Sequence, residues 1–206
     1  IFCYFVYTLS FKDKLNMAKT NFKIISAFIL LFFISNNLKA LDDSDIFLKA
    51  VFFTAIKKSN YEKALKMIEK GIVLNEKDSD GLTPLAYSLK NDDEKMFNLL
   101  IERGGDINKK ILDGTSHLIF YISNKRYNLI KNILESGADL DFQDKLGRTA
   151  LMNAIERSNF NAVSILINKK FDKDITDYSG KDVTSYFKNS KDTRIKNLIN
   201  RLDPID

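Results

Sequence analysis

The residues that could do chemistry are few. The chain has one histidine, His117, and one cysteine, Cys3. Together they fall short of a zinc site built from the usual nitrogen and sulfur ligands, and a lone cysteine closes no internal disulfide. His117 has no second histidine near it, and it reads as a surface residue at the start of a helix rather than as a general base. Asp78, Asp80, Asp113, Asp144 and Asp177 could in principle pair for acid–base work or bind Ca²⁺. A Ca²⁺ loop gathers several oxygens within about a dozen residues, whereas these acids recur far apart beside turn glycines, where an aspartate bonds its own backbone. Gly104-Gly105 is followed by Asp106, whose charge would repel a phosphate. The pairs Lys109-Lys110 and Lys169-Lys170 have acids close by and read as solvated loops. We therefore expect no catalytic residue, no metal site and no cofactor. An enzyme whose acids converge in a way that spacing does not reveal is the alternative, testable by an activity screen.

Composition narrows the classes further. The 206 residues are 45% hydrophobic and 29% charged, with a formal net charge of +5. That is enough apolar content for a buried core, and too little Gly and Pro for a collagenous or low-complexity chain. Five lysines and one acid lie in the first forty residues, so the remainder sets 27 bases against 26 acids. Nucleic-acid binders need a positive footprint that this balance lacks.

The excess charge belongs to a leader. From Met17 the chain runs through Lys19 and Lys23 into an apolar stretch from Ile24 to Ile34 and reaches the small residue Ala40 before an acidic segment. This is the order of a secretory signal, and the apolar stretch is shorter than the ~20 residues that span a bilayer. Residues 17–40 are thus expected to be a signal peptide, and 1–16 an upstream extension preceding an internal start at Met17. Export to the periplasm or beyond follows, with no membrane contact after cleavage; a retained anchor is the rival. A start near Leu41 in the exported fraction, read by amino-terminal sequencing, is the expected result, and a cytosolic chain beginning at Met17 would defeat it.

What must position the remaining residues is a repeat. Gly81, Gly114, Gly147 and Gly180 are 33 residues apart, and Gly71, Gly104 and Gly137 form a second series with the same interval. Two glycine series at one period mark two turns per unit. Thr83-Pro84-Leu85 and Thr149-Ala150-Leu151 with Ala154 occupy one register, and Gly137-Ala138-Asp139 closes another. The pattern resembles the ankyrin repeat, whose period is 33 and whose first helix opens with T-P-L-H-x-A. The resemblance covers about 45–202. It departs from the family where the signature histidine is Ala86, Ile119 or Met152, which predicts looser turns, and where the glycine between paired helices is Asp92, Lys125 or Ser158.

Residue chemistry supports the same architecture. Thr83 before Pro84 suits an N-cap followed by a first helical residue. Leu85, Leu89, Phe97, Leu100 and Ile101, and one period later Leu118, Ile122, Ile130, Ile133 and Leu134, fall at helical spacing on inward faces. The expected fold is an all-α solenoid within 41–206: a leading cap at 45–78, with Ala55, Ala64, Met67 and Ile68 at repeat positions, repeats at 79–111, 112–144 and 145–177, and a closing cap at 178–202. Thr184, Ser185, Lys188 and Lys196 make the last outer face polar, as a terminal unit requires.

The resemblance implies a monomeric binding module whose turn tips and inner helices form a concave face for a partner protein. By position these are Ser79, Asp80, Leu82, Lys90 and Asn91, then Leu112, Asp113, Thr115, Ser123 and Asn124. The third repeat contributes Lys145, Leu146, Arg148, Glu156 and Arg157, and the closing unit Tyr178, Ser179 and Lys181. Leu112, Leu146 and Tyr178 are apolar or aromatic where water favours polar residues, and either bind a partner or pack on adjoining tips. A membrane-tethered structural or immunity-like protein is a second functional alternative.

Overall fold

The computed structural model describes residues 45–202; the segments read as leader and upstream extension lie outside them. The chain divides into two units, 1–50 and 51–206. Residues 45–57 are helical (α1), the first six belonging to the amino-terminal unit. In the larger unit follow α2 (Tyr61–Glu69), α3 (Pro84–Asn91), α4 (Glu94–Glu102), α5 (His117–Ser123), α6 (Ile130–Glu135), α7 (Ala150–Glu156), α8 (Phe160–Leu166), α9 (Val183–Lys188) and α10 (Thr193–Lys196), the last running into a 3₁₀ turn, Asn197–Arg201. Among the described residues no helix is long and apolar enough to cross a membrane.

Caps set the helix starts. The side chains of Thr83, Ser116, Thr149 and Asp182, each 33 residues from the last, accept hydrogen bonds from Ala86, Ile119, Met152 and Ser185 amides at α3, α5, α7 and α9. Asn60, Asp93, Asn159 and Asp192 do the same for α2, α4, α8 and α10. Each such cap is worth about 1 kcal/mol. At the corresponding point of the second repeat stands Arg126, which has no acceptor to offer, and α6 begins late at Ile130 without a side-chain cap. The buried Tyr121 fills the gap, its hydroxyl accepting from the Leu129 amide at 2.9 Å and donating to Asp92.

First helices stack in order, α3 on α5, α5 on α7 and α7 on α9, while α6 packs on α8 and α8 on α10. Leu85, Leu89, Phe97, Leu100, Leu118, Ile122, Ile130 and Ile133 are all at most 2% exposed. Ile101 and Leu134, one step past the apolar stripe of their helices, are only half-buried. Burying each large aliphatic stabilises the stack by roughly 1.5–3 kcal/mol. Because each pair closes its core only on its neighbours, the array gains stability unit by unit.

The turns are not loose. In each unit an amide bonds the carbonyl four residues on: Asp78 to Leu82, Ile111 to Thr115, Asp144 to Arg148 and Asp177 to Lys181, at 2.9–3.0 Å. In three of them the aspartate carboxylate also accepts two turn amides, so the turn is closed without the signature histidine. The other oxygen is bonded by a residue nine positions on, Tyr87, Asn153 or Tyr186. In the second repeat both members are apolar, Ile111 and Phe120, and the turn becomes a 3₁₀ segment, Leu112–Gly114, with Asp113 at φ 54°. Left-handed backbone also persists where the interhelical glycine is missing, at Ser59, Asp92, Lys125 and Ser158.

His117 is not a surface residue. It is fully buried, with Nε2 2.7 Å from the Thr83 hydroxyl and Nδ1 2.9 Å from the Ile107 carbonyl. The carbonyl can only accept, so Nδ1 carries the proton and Nε2 accepts from Thr83. The imidazole thus ties one unit to the next. Its burial, opposed by the Ile107 bond and the Asp106 charge, lowers its pKa to about 4.

Candidate functional site

The tips line up at the start of the first helices, and adjoining tips touch. Leu112 packs over Gly81, where an added Cβ would lie 3.5 Å from the Leu112 Cα. Lys145 reaches Asp113 at 3.0 Å. The Tyr178 amide donates to the Leu146 carbonyl at 3.0 Å, and its ring lies on Gly147. A Cβ at Gly147 would meet the Tyr178 amide nitrogen at 2.7 Å, and its φ is 79°, so only glycine fits. The tip residues therefore both stack and face water: Leu112 is 44% exposed, Leu146 50% and Tyr178 76%.

The other expected site residues separate into three groups. Ser79, Asp80, Lys90, Asn91, Asn124, Glu156, Arg157, Ser179 and Lys181 are exposed, and Thr115 and Ser123 half-buried. Leu82 is buried, which corrects its placement on the face: it is the apolar member of a register that later reads Thr115, Arg148 and Lys181, and removal from water favours its burial. Arg148 is a strut rather than a free cation. Its guanidinium donates twice to Asp144 Oδ2, at 3.0 and 2.8 Å, and also pairs with Glu156. Burial would raise the Asp144 pKa, but the Arg148, Asn153 and backbone bonds outweigh it and hold the carboxyl below its usual range. At Asp177 the same opposition, with Lys181, Ser179 and Tyr186 as donors, leaves a pKa of about 2. Asp78, Asp144 and Asp177 are turn fixtures held as carboxylates.

Spacing alone did not single out a second series, at the ends of the second helices. Asn75 accepts from the Asp106 amide at 2.8 Å, Asn108 from Asp139 at 2.9 Å, and Asp141 from Asp172 at 2.9 Å. Asn75 and Asn108 also donate to the Gly104 and Gly137 carbonyls of the next unit. Their interval of 33 residues was the available signal.

Three grooves mark the described surface. One of about 710 Å³ runs between α2 and α4, with Glu62, Glu94 and Glu102 against Lys95. A second, about 350 Å³, lies between α7 and α9, and a third, about 340 Å³, crosses the interhelical turns at Lys125 and Ser158 and reaches Arg194 at the start of α10. Among the described residues no group of three or more His, Cys, Asp or Glu side chains is arranged to hold a metal ion.

Stacked helix pairs at a period of 33, joined tip to tip, match known families in two places: residues 80–111 match the ankyrin repeat, and residues 118–186 a family of ankyrin repeats in three copies. The chain is an ankyrin-repeat protein. No curated protein matches its sequence. Ankyrin repeats are generally protein–protein interaction modules and are typically non-catalytic. In this ankyrin array the departures from the family signature are absorbed locally, by turn carboxylates in place of histidine and by strained left-handed residues in place of glycine.

Proposed function

We propose that the protein binds a partner protein, without catalysis, on the concave face made by the tips and the exposed residues of the inner helices. The observation that carries this reading is the row of Leu112, Leu146 and Tyr178, three large apolar or aromatic side chains on consecutive tips, each at least 44% exposed. Tyrosine is among the commonest anchors of an interface, and apolar side chains left in water beside it mark an interaction surface. Toward the far ends of the inner helices, Lys90, Asn91 and Asn124 are exposed polar residues of the same face.

The test is affinity capture from the native compartment with the parent chain and with Leu112→Ser, Leu146→Ser and Tyr178→Ser combined. If this strip holds the partner, capture falls by roughly thirtyfold or more, since hot-spot truncations cost at least about 2 kcal/mol. Tyr178 also packs on Gly147, so the melting temperature of the triple variant is measured alongside. Unchanged capture by a folded variant would place the interface elsewhere.

A further inference from the structure

The first helices start at the tips, and a seven-residue helix carries the chain about 10 Å away from them. Their far ends, at the interhelical turns, hold the third groove. Lys125 and Tyr127 of the second repeat, Arg157 and Phe160 of the third, and Arg194 of the closing unit line it. Two of its lining cations, Lys125 and Arg157, give it positive charge, while the third, Arg194, is neutralised by Asp192. Arg194 is held by Asp192 at 2.7 Å and lies 4.7 Å from the centre of the Phe160 ring, which fixes it in place. No carboxylate lines this groove, and Glu156, already paired with Arg148, is the acid lining the adjoining groove between α7 and α9. Ser158 lines both, so the two form one path over the ends of α7.

The interhelical turns share one strained backbone conformation. Four interhelical positions are left-handed without glycine. Asp92 holds Tyr121 and Asn128 by its carboxylate, and Ser59 bonds Asp93, so both side chains have structural work there. Lys125, at φ 57°, sits where glycine would relieve roughly 1 kcal/mol, so a cation is kept at this turn at a cost to the fold.

We propose that this groove docks an acidic segment of a partner protein, whose carboxylates pair with Lys125 and Arg157 while an apolar side chain rests against Tyr127 and Phe160. The site is separate from the tip strip. An extended peptide suits a path that continues into a second groove, and a ring-lined floor favours a peptide over a bare anion. The groove between α2 and α4, rimmed by Glu62, Glu94 and Glu102, is of opposite sign and rejects the same segment.

The experiment is fluorescence anisotropy of the full chain with a labelled peptide of alternating Glu and Leu, its Lys-for-Glu counterpart, and inorganic phosphate as competitor. The acidic peptide binds, with affinity falling as salt rises, and the basic peptide does not. Lys125→Glu with Arg157→Glu weakens it about tenfold or more, as expected when two contributing charges are reversed. Tyr127→Ala weakens it at unchanged charge, and Lys125→Gly weakens it while raising the melting temperature. The tip variant Leu112→Ser, Leu146→Ser, Tyr178→Ser binds as the parent does, so failure here and failure of the concave-face reading remain distinct. Equal weakening by Lys169→Glu with Lys170→Glu on a distant loop, loss of the signal to millimolar phosphate, or no binding of the acidic peptide would each overturn the proposal.

Discussion

Replacing Tyr121 by alanine is expected to destabilise the domain by about 4 kcal/mol, the upper part of the range for truncating a fully buried large side chain. Tyr121 is 0% exposed and stands in a register occupied by Ser88 and Ala154 in the flanking repeats. It fills space that those residues leave to the helices, and its hydroxyl does the work of the missing cap at Arg126. Alanine therefore opens a cavity and strips the Leu129 amide and Asp92 of a partner together. Burial first, and then the bond to Asp92, raises the tyrosine pKa, so the hydroxyl stays protonated and donating across the working range. Tyr121→Phe keeps the ring and loses only the bonds, at about 1–3 kcal/mol. Urea unfolding separates the two, and because Tyr121 lies mid-array, its loss should also broaden the transition as the flanking units uncouple. A Tyr121→Ala unfolding free energy within about 1 kcal/mol of the parent would show that the second repeat does not depend on it.

Acidification supplies the second large effect. His117 has a pKa of about 4 in the folded chain against 6.5 ordinarily. Between those values the unfolded chain takes up a proton that the folded chain refuses. Stability is therefore intact above pH 6.5 and falls as the pH drops toward 4, by about 3 kcal/mol in all. The carboxylates act in a lower window: Asp177, at about 2, contributes stability above its ordinary 3.8 that is lost as the pH falls from there through 2. His117→Ala should cost stability at neutral pH, since Thr83 and Ile107 lose a partner, and should flatten the loss between 6.5 and 4. A parent chain equally stable at pH 7 and pH 4.5 would contradict the buried, neutral assignment.

Both residues show where reading from sequence stopped. The 33-residue period, the N-caps from Thr83 to Asp182 and the core stripe were legible because each is a local pattern of spacing and residue type. His117 was misplaced because its partners, Thr83 and Ile107, come from the preceding unit, and Leu82 because a turn position reads as exposed although its side chain is buried. The pairing of Asp78 with Tyr87, Asp144 with Asn153 and Asp177 with Tyr186, with Ile111 and Phe120 apolar together, is written in the sequence. It becomes readable only once the turn is known to bring residues nine apart into contact. The exposed tip residues were found by type, while their role in stacking on Gly81 and Gly147 needed coordinates. The charged groove at the interhelical turns joins residues of three units and has no linear signature.

A partner seated on the tips lies within reach of their exposed side chains. A photo-crosslinking phenylalanine derivative placed at Tyr178, 76% exposed on the last tip, tests it directly in cells, with the same group at the exposed Lys109 as the reference. The account predicts a discrete adduct from position 178 that Leu112→Ser and Leu146→Ser abolish, and none from position 109. An adduct from 109 with none from 178 would contradict it.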